Sequence, residues 1–101
     1  MEAVQIIKNL KNFSKEYNEN EERELININK FPKENYSYGF VVNMVNNKYE
    51  VYMFVTSDIE DVIASNLFYK DFKYLDQAKE YFDSIISEYN ELSLEELCNR
   101  L

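Results

Sequence analysis

Between Tyr38 and Val55, apolar and polar side chains alternate on both sides of Asn46-Asn47, and folding the chain about that pair sorts them onto two faces. Met44 then stands opposite Tyr49, Val42 opposite Val51, Phe40 opposite Met53 and Tyr38 opposite Val55, so one face is apolar throughout. A shift of one residue would set Met44 against Glu50, so turn chemistry and hydrophobic pattern select the same register independently. The spacing predicts a two-residue hairpin. An isolated hairpin is marginal in water, so its apolar face requires a cover. On the other face Gly39 pairs with Phe54, whose ring is expected to lie over the glycine backbone.

The flanking patterns supply that cover. Residues 2–17 place Ala3, Ile6, Ile7, Leu10, Phe13 and Tyr17 at the spacing of one helical stripe, with Glu2 early and Lys8, Lys11 and Lys15 late, as the helix dipole favours. Asn18-Glu19-Asn20-Glu21-Glu22 has no apolar residue to bury and reads as an exposed connector. Leu25 to Phe31 alternates, with Ile26 and Ile28 on one side and Asn27 and Asn29 on the other, and ends at Pro32, which marks an edge strand. The short connection from Pro32 to Asn35 implies an antiparallel meander. Ser57-Asp58-Ile59-Glu60 has capping-box spacing ahead of Val62 and Ile63 and predicts a short helix, whereas Leu67, Phe68, Tyr69, Phe72 and Tyr74 fit a fourth strand equally well. Leu75, Ala78, Phe82, Ile85, Ile86 and Tyr89 define a helix over 75–89, and Ser93-Leu94-Glu95-Glu96 caps a final short one carrying Leu94, Leu97 and Leu101. The expectation is an α+β domain: a three-stranded antiparallel meander, with a fourth strand left open, and an N-terminal helix plus one long and one short C-terminal helix packed on the sheet.

Composition narrows the function more by exclusion than by indication. A chain of 101 residues supports one hydrophobic core and therefore one domain over 1–101. With no histidine and a single cysteine, it lacks the commonest general base and the ligands of a zinc site. Its one glycine, Gly39, cannot build a phosphate loop or a dinucleotide fingerprint, so no cofactor or metal is expected. The absence of an unbroken apolar run argues against a signal peptide or membrane span, and the lone Cys98 fits a cytoplasmic setting. The abundance of Asn, Ile, Lys, Tyr and Glu is what AT-rich coding imposes, a mark of provenance.

Two surfaces remain as candidates. On the second hairpin face, Val41, Tyr52 and Phe54 form an apolar area away from the turn, while Asn43, Lys48 and Glu50 stay polar. Left uncovered, that area would attract a partner; the alternative is that residues 59–74 or the final helix pack across it. The second surface is acidic. The net charge is −8, and from residue 76 onward seven acids stand against Lys79 and Arg100. Asp76, Glu80 and Asp83 recur at helical spacing, about 5–6 Å apart, comparable to phosphates along a nucleic acid strand. Such a row resembles a nucleic acid backbone and would repel a real one; the plain alternative is a solvated helix face.

Other groups carry less. Asp58, Glu60 and Asp61 are explained by a helix start, without the glycine and terminal glutamate of a calcium loop. Cys98, beside Glu95 and Glu96, reads as a small apolar contact rather than a nucleophile. Aromatics and lysines interleave from Phe68 to Tyr74 as in single-strand binders, but the overall negative charge opposes that role. The expectation is a non-catalytic acidic protein-binding module, monomeric or homodimeric, whose partner is a protein with a basic surface and neither nucleic acid nor membrane. Its sharper form is a phage-type inhibitor that blocks a nucleic-acid-binding surface by charge mimicry, and it resembles small acidic nucleic-acid mimics in size, charge and class. An immunity protein neutralising a cationic toxin fits the same facts, and a small dimeric structural or regulatory subunit is the alternative from another class.

Overall fold

The computed structural model describes residues 2–14 and 21–101. Helix α1 (Ala3–Leu10) runs into a 3-10 turn at Lys11–Phe13 and is followed by strands β1 (Glu24–Pro32), β2 (Tyr36–Val45), β3 (Lys48–Ser57) and β4 (Ile63–Phe72), then helices α2 (Leu75–Tyr89) and α3 (Leu94–Cys98). The strands form one antiparallel sheet in the order β1-β2-β3-β4. Asn46 and Asn47 both adopt positive φ, 50° and 62°, the geometry of a tight hairpin turn that asparagine tolerates at little cost. The β2–β3 register is the one the pattern predicts, from Met44 opposite Tyr49 to Tyr38 opposite Val55.

All three helices lie on one side of the sheet. Tyr38, Phe40, Val42, Val51, Met53 and Val55 are fully shielded there, in one cluster with Ile6, Ile7 and Leu10 of α1, Ala78, Phe82 and Ile85 of α2, and Leu94 and Leu97 of α3. Each such side chain contributes about 1.5–3 kcal/mol, an upper bound because the unfolded chain already hides part of its surface. Two tyrosines pin the helical layer to the strands. The Tyr38 hydroxyl donates to the Leu92 carbonyl at 2.9 Å, and the Tyr81 hydroxyl donates to the Phe68 carbonyl at 2.7 Å. Phe68 also stacks on Tyr89 with ring centroids 4.0 Å apart.

Two local expectations need correction. Phe13 leaves the buried stripe and is 51% exposed, because the 3-10 turn after Leu10 has a tighter repeat that rotates it out of the α-helical line. Tyr17, Lys15 and the connector residues Asn18, Glu19 and Asn20 lie outside the described residues. No helix starts at Ser57. Its hydroxyl accepts from the Ile59 and Glu60 amides, both at 3.1 Å, but its own amide donates to the Val62 carbonyl, so the chain turns straight back into β4. Residues 63–72 are therefore the fourth strand. Beside Met53 its pairing slips twice, with an extra residue in β4 each time, and Asn66 and Phe68 take positive φ of 55° and 53° there.

Candidate functional site

Because β4 joins the sheet edge and α3 packs beside α1, no described element lies across the outer face of the sheet. Cross-strand partners share a face, so the register places Ile28, Val41 and Tyr52 in one row across it, with Lys30, Gly39 and Phe54 in the next. Val41 is 4% exposed although it stands apart from the main core, flanked by Ile28 and Tyr52 on the neighbouring strands. Tyr52 and Phe54 are half-buried. The Phe54 ring lies directly on Gly39, so closely that a Cβ added there would have to displace the ring. Tyr52 stacks on Tyr69 of β4 at 6.4 Å between centroids. Leu25, 56% exposed, and Ile28, 38% exposed, extend this apolar centre onto the edge strand, and Ile26, which interrupts the pairing there, is exposed as well.

Toward the hairpin turn the same face becomes ionic. Glu50 of β3 is directly opposite Asp71 of β4, two like charges side by side. Glu50 has a side chain only 1% exposed, and its Oε1 accepts from Arg23 Nε at 2.6 Å. Arg23 precedes β1, so its side chain spans β2, where Asn43 is buried. The guanidinium also donates to the Glu21 carbonyl at 3.2 Å and lies 3.9 Å from the Glu21 carboxylate. Glu50 Oε2 is buried without a hydrogen-bond partner. Beside it opens a cleft of about 220 Å³ lined by Glu21, Val45, Lys48, Glu50, Tyr69 and Asp71, together with Asn46. Burial, reinforced by Asp71 and Glu50, raises the Tyr69 phenol well above its ordinary value, so it remains a neutral hydroxyl at physiological pH.

The other sequence candidates fall elsewhere. Asp76, Glu80 and Asp83 are all exposed on α2, while Ala78, Phe82 and Ile85 of that helix face the sheet. The acidic row and the Val41, Tyr52 and Phe54 surface thus lie on opposite sides of the sheet. Asp76 occupies the first turn of α2, where a carboxylate complements the helix dipole. Phe68 and Phe72 turn toward α2, where Lys70 lies over the Phe72 and Tyr81 rings at 5.4 and 5.5 Å, so these rings serve internal packing. Cys98 is half-buried against the core, and burial, with Glu95 adding to it, pushes its thiol pKa up. Asp58, Glu60 and Asp61 are exposed in the β3–β4 loop, and Glu60 approaches Lys8 to 4.0 Å.

Sequence reasoning missed the Arg23–Glu50 pair and the cleft beside it. The partners are 27 residues apart with a whole strand between them, and only the placement of Asp71 opposite Glu50 would have hinted at a need for cations. Among the described residues no group of three His, Cys, Asp or Glu side chains is arranged to hold a metal ion, and no helix is long and apolar enough to cross a membrane. Comparison with known proteins finds no matching family model, no similar curated protein and no similar solved structure.

Proposed function

We propose that this chain is a non-catalytic protein-binding module whose partner presents basic side chains to the outer face of the sheet. The observation that supports the reading is that face itself. It is apolar and aromatic at its centre, with Val41, Tyr52 and Phe54, bordered by the Glu50 and Asp71 carboxylates, and without a described element packed on it. Aromatic anchors within a complementary charged border are the usual make-up of a specific protein interface. The net charge of −8 favours a basic partner and disfavours direct contact with nucleic acid.

In its sharper form the module is a phage-type inhibitor acting in the cytoplasm, which occupies a nucleic-acid-binding surface and displaces the nucleic acid; a cationic toxin is a partner of the same kind. Asp76, Glu80 and Asp83 are the candidate phosphate imitators in this form, but a flat partner meets either that row or the aromatic face, since they look in opposite directions. The test is capture of the partner by the wild-type chain, by Phe54→Glu and by the triple reversal of Asp76, Glu80 and Asp83 to Lys. Phe54→Glu is expected to abolish capture, and the triple reversal to slow association and reduce its salt dependence. Full capture by Phe54→Glu would remove the outer face from the interface.

A second reading, a homodimer formed through the same face, is favoured by the exposed Leu25, Ile26 and Ile28 on edge strand β1. A hydrodynamic size of two chains that falls to one in Phe54→Glu would establish it, and a monomer at all concentrations would exclude it.

A further inference from the structure

The geometry points to a specific occupant for the cleft beside Glu50: we infer that it receives one arginine side chain of the partner, whose guanidinium completes the hydrogen bonding of Glu50 Oε2 and neutralises the Glu50–Asp71 pair. This deepens the binding-module reading and rests on it. Two features support it. Glu50 is nine-tenths and more buried; Arg23 serves Oε1 and the Tyr69 hydroxyl lies beside the carboxylate, yet Oε2 itself has no hydrogen-bond partner. A buried carboxylate oxygen left in that condition is costly, and the cost is relieved by a charged donor. Asp71 stands opposite on the neighbouring strand and lines the same cleft, so two carboxylates face each other across one opening.

The charge count agrees. Among the described residues, Glu21, Glu50 and Asp71 stand against Arg23 and Lys48 around the opening, which leaves one negative charge for a ligand to balance. Tyr69, held in its hydroxyl form beside both carboxylates, adds an aromatic wall. A guanidinium suits such a site better than an ammonium because its planar array of donors serves several acceptors at once and its faces pack on aromatic rings. The cleft of about 220 Å³ is large enough for one such head group.

The experiment uses the full chain, isotopically labelled, with N-acetyl-arginine amide as the probe and the lysine and citrulline analogues as controls. Amide resonances are followed by NMR at low and moderate salt. The arginine probe is expected to shift the amides of residues 48–50 and 69–71 saturably, about tenfold more tightly than the lysine analogue, with no saturable effect from neutral citrulline. Asp71→Asn and Glu50→Gln should each weaken binding about tenfold, the loss expected for one charge-assisted contact. If Glu50→Gln proves unfolded, the exposed Asp71→Asn decides alone. Equal effects of arginine and citrulline, shifts scattered over surface carboxylates without saturation, or undiminished binding by Asp71→Asn would overturn the assignment. Absence of probe binding while partner capture remains sensitive to Phe54→Glu would refute the cleft and leave the broader reading intact. Probe binding with capture unaffected by Phe54→Glu would refute the broader reading instead.

Discussion

The inner and outer faces of the sheet are built by the same strands in the same register, yet they are closed in different ways. On the inner face Tyr38, Phe40, Val42, Val51, Met53 and Val55 meet three helices and lose all contact with solvent. On the outer face Val41 and Glu50 are buried nearly as deeply with no described helix above them, Val41 between the side chains of neighbouring strands and Glu50 beneath Arg23. Non-directional apolar burial secures the first face, whereas the second depends on a few specific contacts. The second face is also the one that leaves unspent binding capacity, in an unsatisfied carboxylate oxygen.

The difference can be tested by perturbing each side, beginning with the most drastic. Raising the pH acts mainly on the inner side. Tyr38, Tyr81 and Tyr89 all have phenol pKa values raised above 10.0, chiefly by burial, as does Tyr69 on the outer face. A raised folded-state pKa contributes stability that is complete below the unfolded value and drains away as pH climbs toward the folded one. Urea midpoints should therefore hold steady up to about pH 10 and fall beyond it; a flat profile to pH 12 would contradict the burial of these hydroxyls.

Next in size, Phe40→Ala on the inner face should cost about 3–5 kcal/mol in urea denaturation. Arg23→Ala should cost about 3 kcal/mol because it strands Glu50 as a buried charge, and restoring most of that loss by adding Glu50→Gln would confirm the cause. Tyr81→Phe, which leaves the Phe68 carbonyl without its donor, should cost about 1 kcal/mol. Ile28→Thr, exposed on the outer edge, should change stability by no more than about 0.5 kcal/mol. If it matched Phe40→Ala, the distinction between the faces would collapse.

The legibility of this fold in its sequence followed the regularity of its periods. The hairpin register was readable because a turn of two asparagines and a strict alternation constrain the same pairing. Helix α2 was readable because its stripe runs unbroken for fifteen residues. β4 was ambiguous for a physical reason: each extra residue inverts the alternation, so Leu67 and Phe68 both serve the inner side and no period-two pattern survives. The two Ser-x-x-Glu segments show how far a local signal reaches. At Ser93 the hydroxyl accepts from the Glu96 amide and the Glu96 carboxylate accepts from the Ser93 amide, each at 3.2 Å, and Leu94 and Leu97 then bury one helical face. At Ser57 only half of the motif forms, because the serine amide is already committed to Val62 and the following residues pair with β3. Of the candidate surfaces, the Val41, Tyr52 and Phe54 face was predictable from alternation, whereas the Glu50 cleft was not, since Arg23 belongs to no periodic element.

The irregularity of β4 has a further consequence for how the sheet meets other chains. A long straight margin of unpaired amides and carbonyls invites other chains to add to it, and this strand is ten residues long. Its double kink bends that margin out of line, so an incoming segment would lose step within a few residues. The opposite margin is interrupted at Ile26 and closed at Pro32, so both borders of the sheet resist templated growth into fibrils.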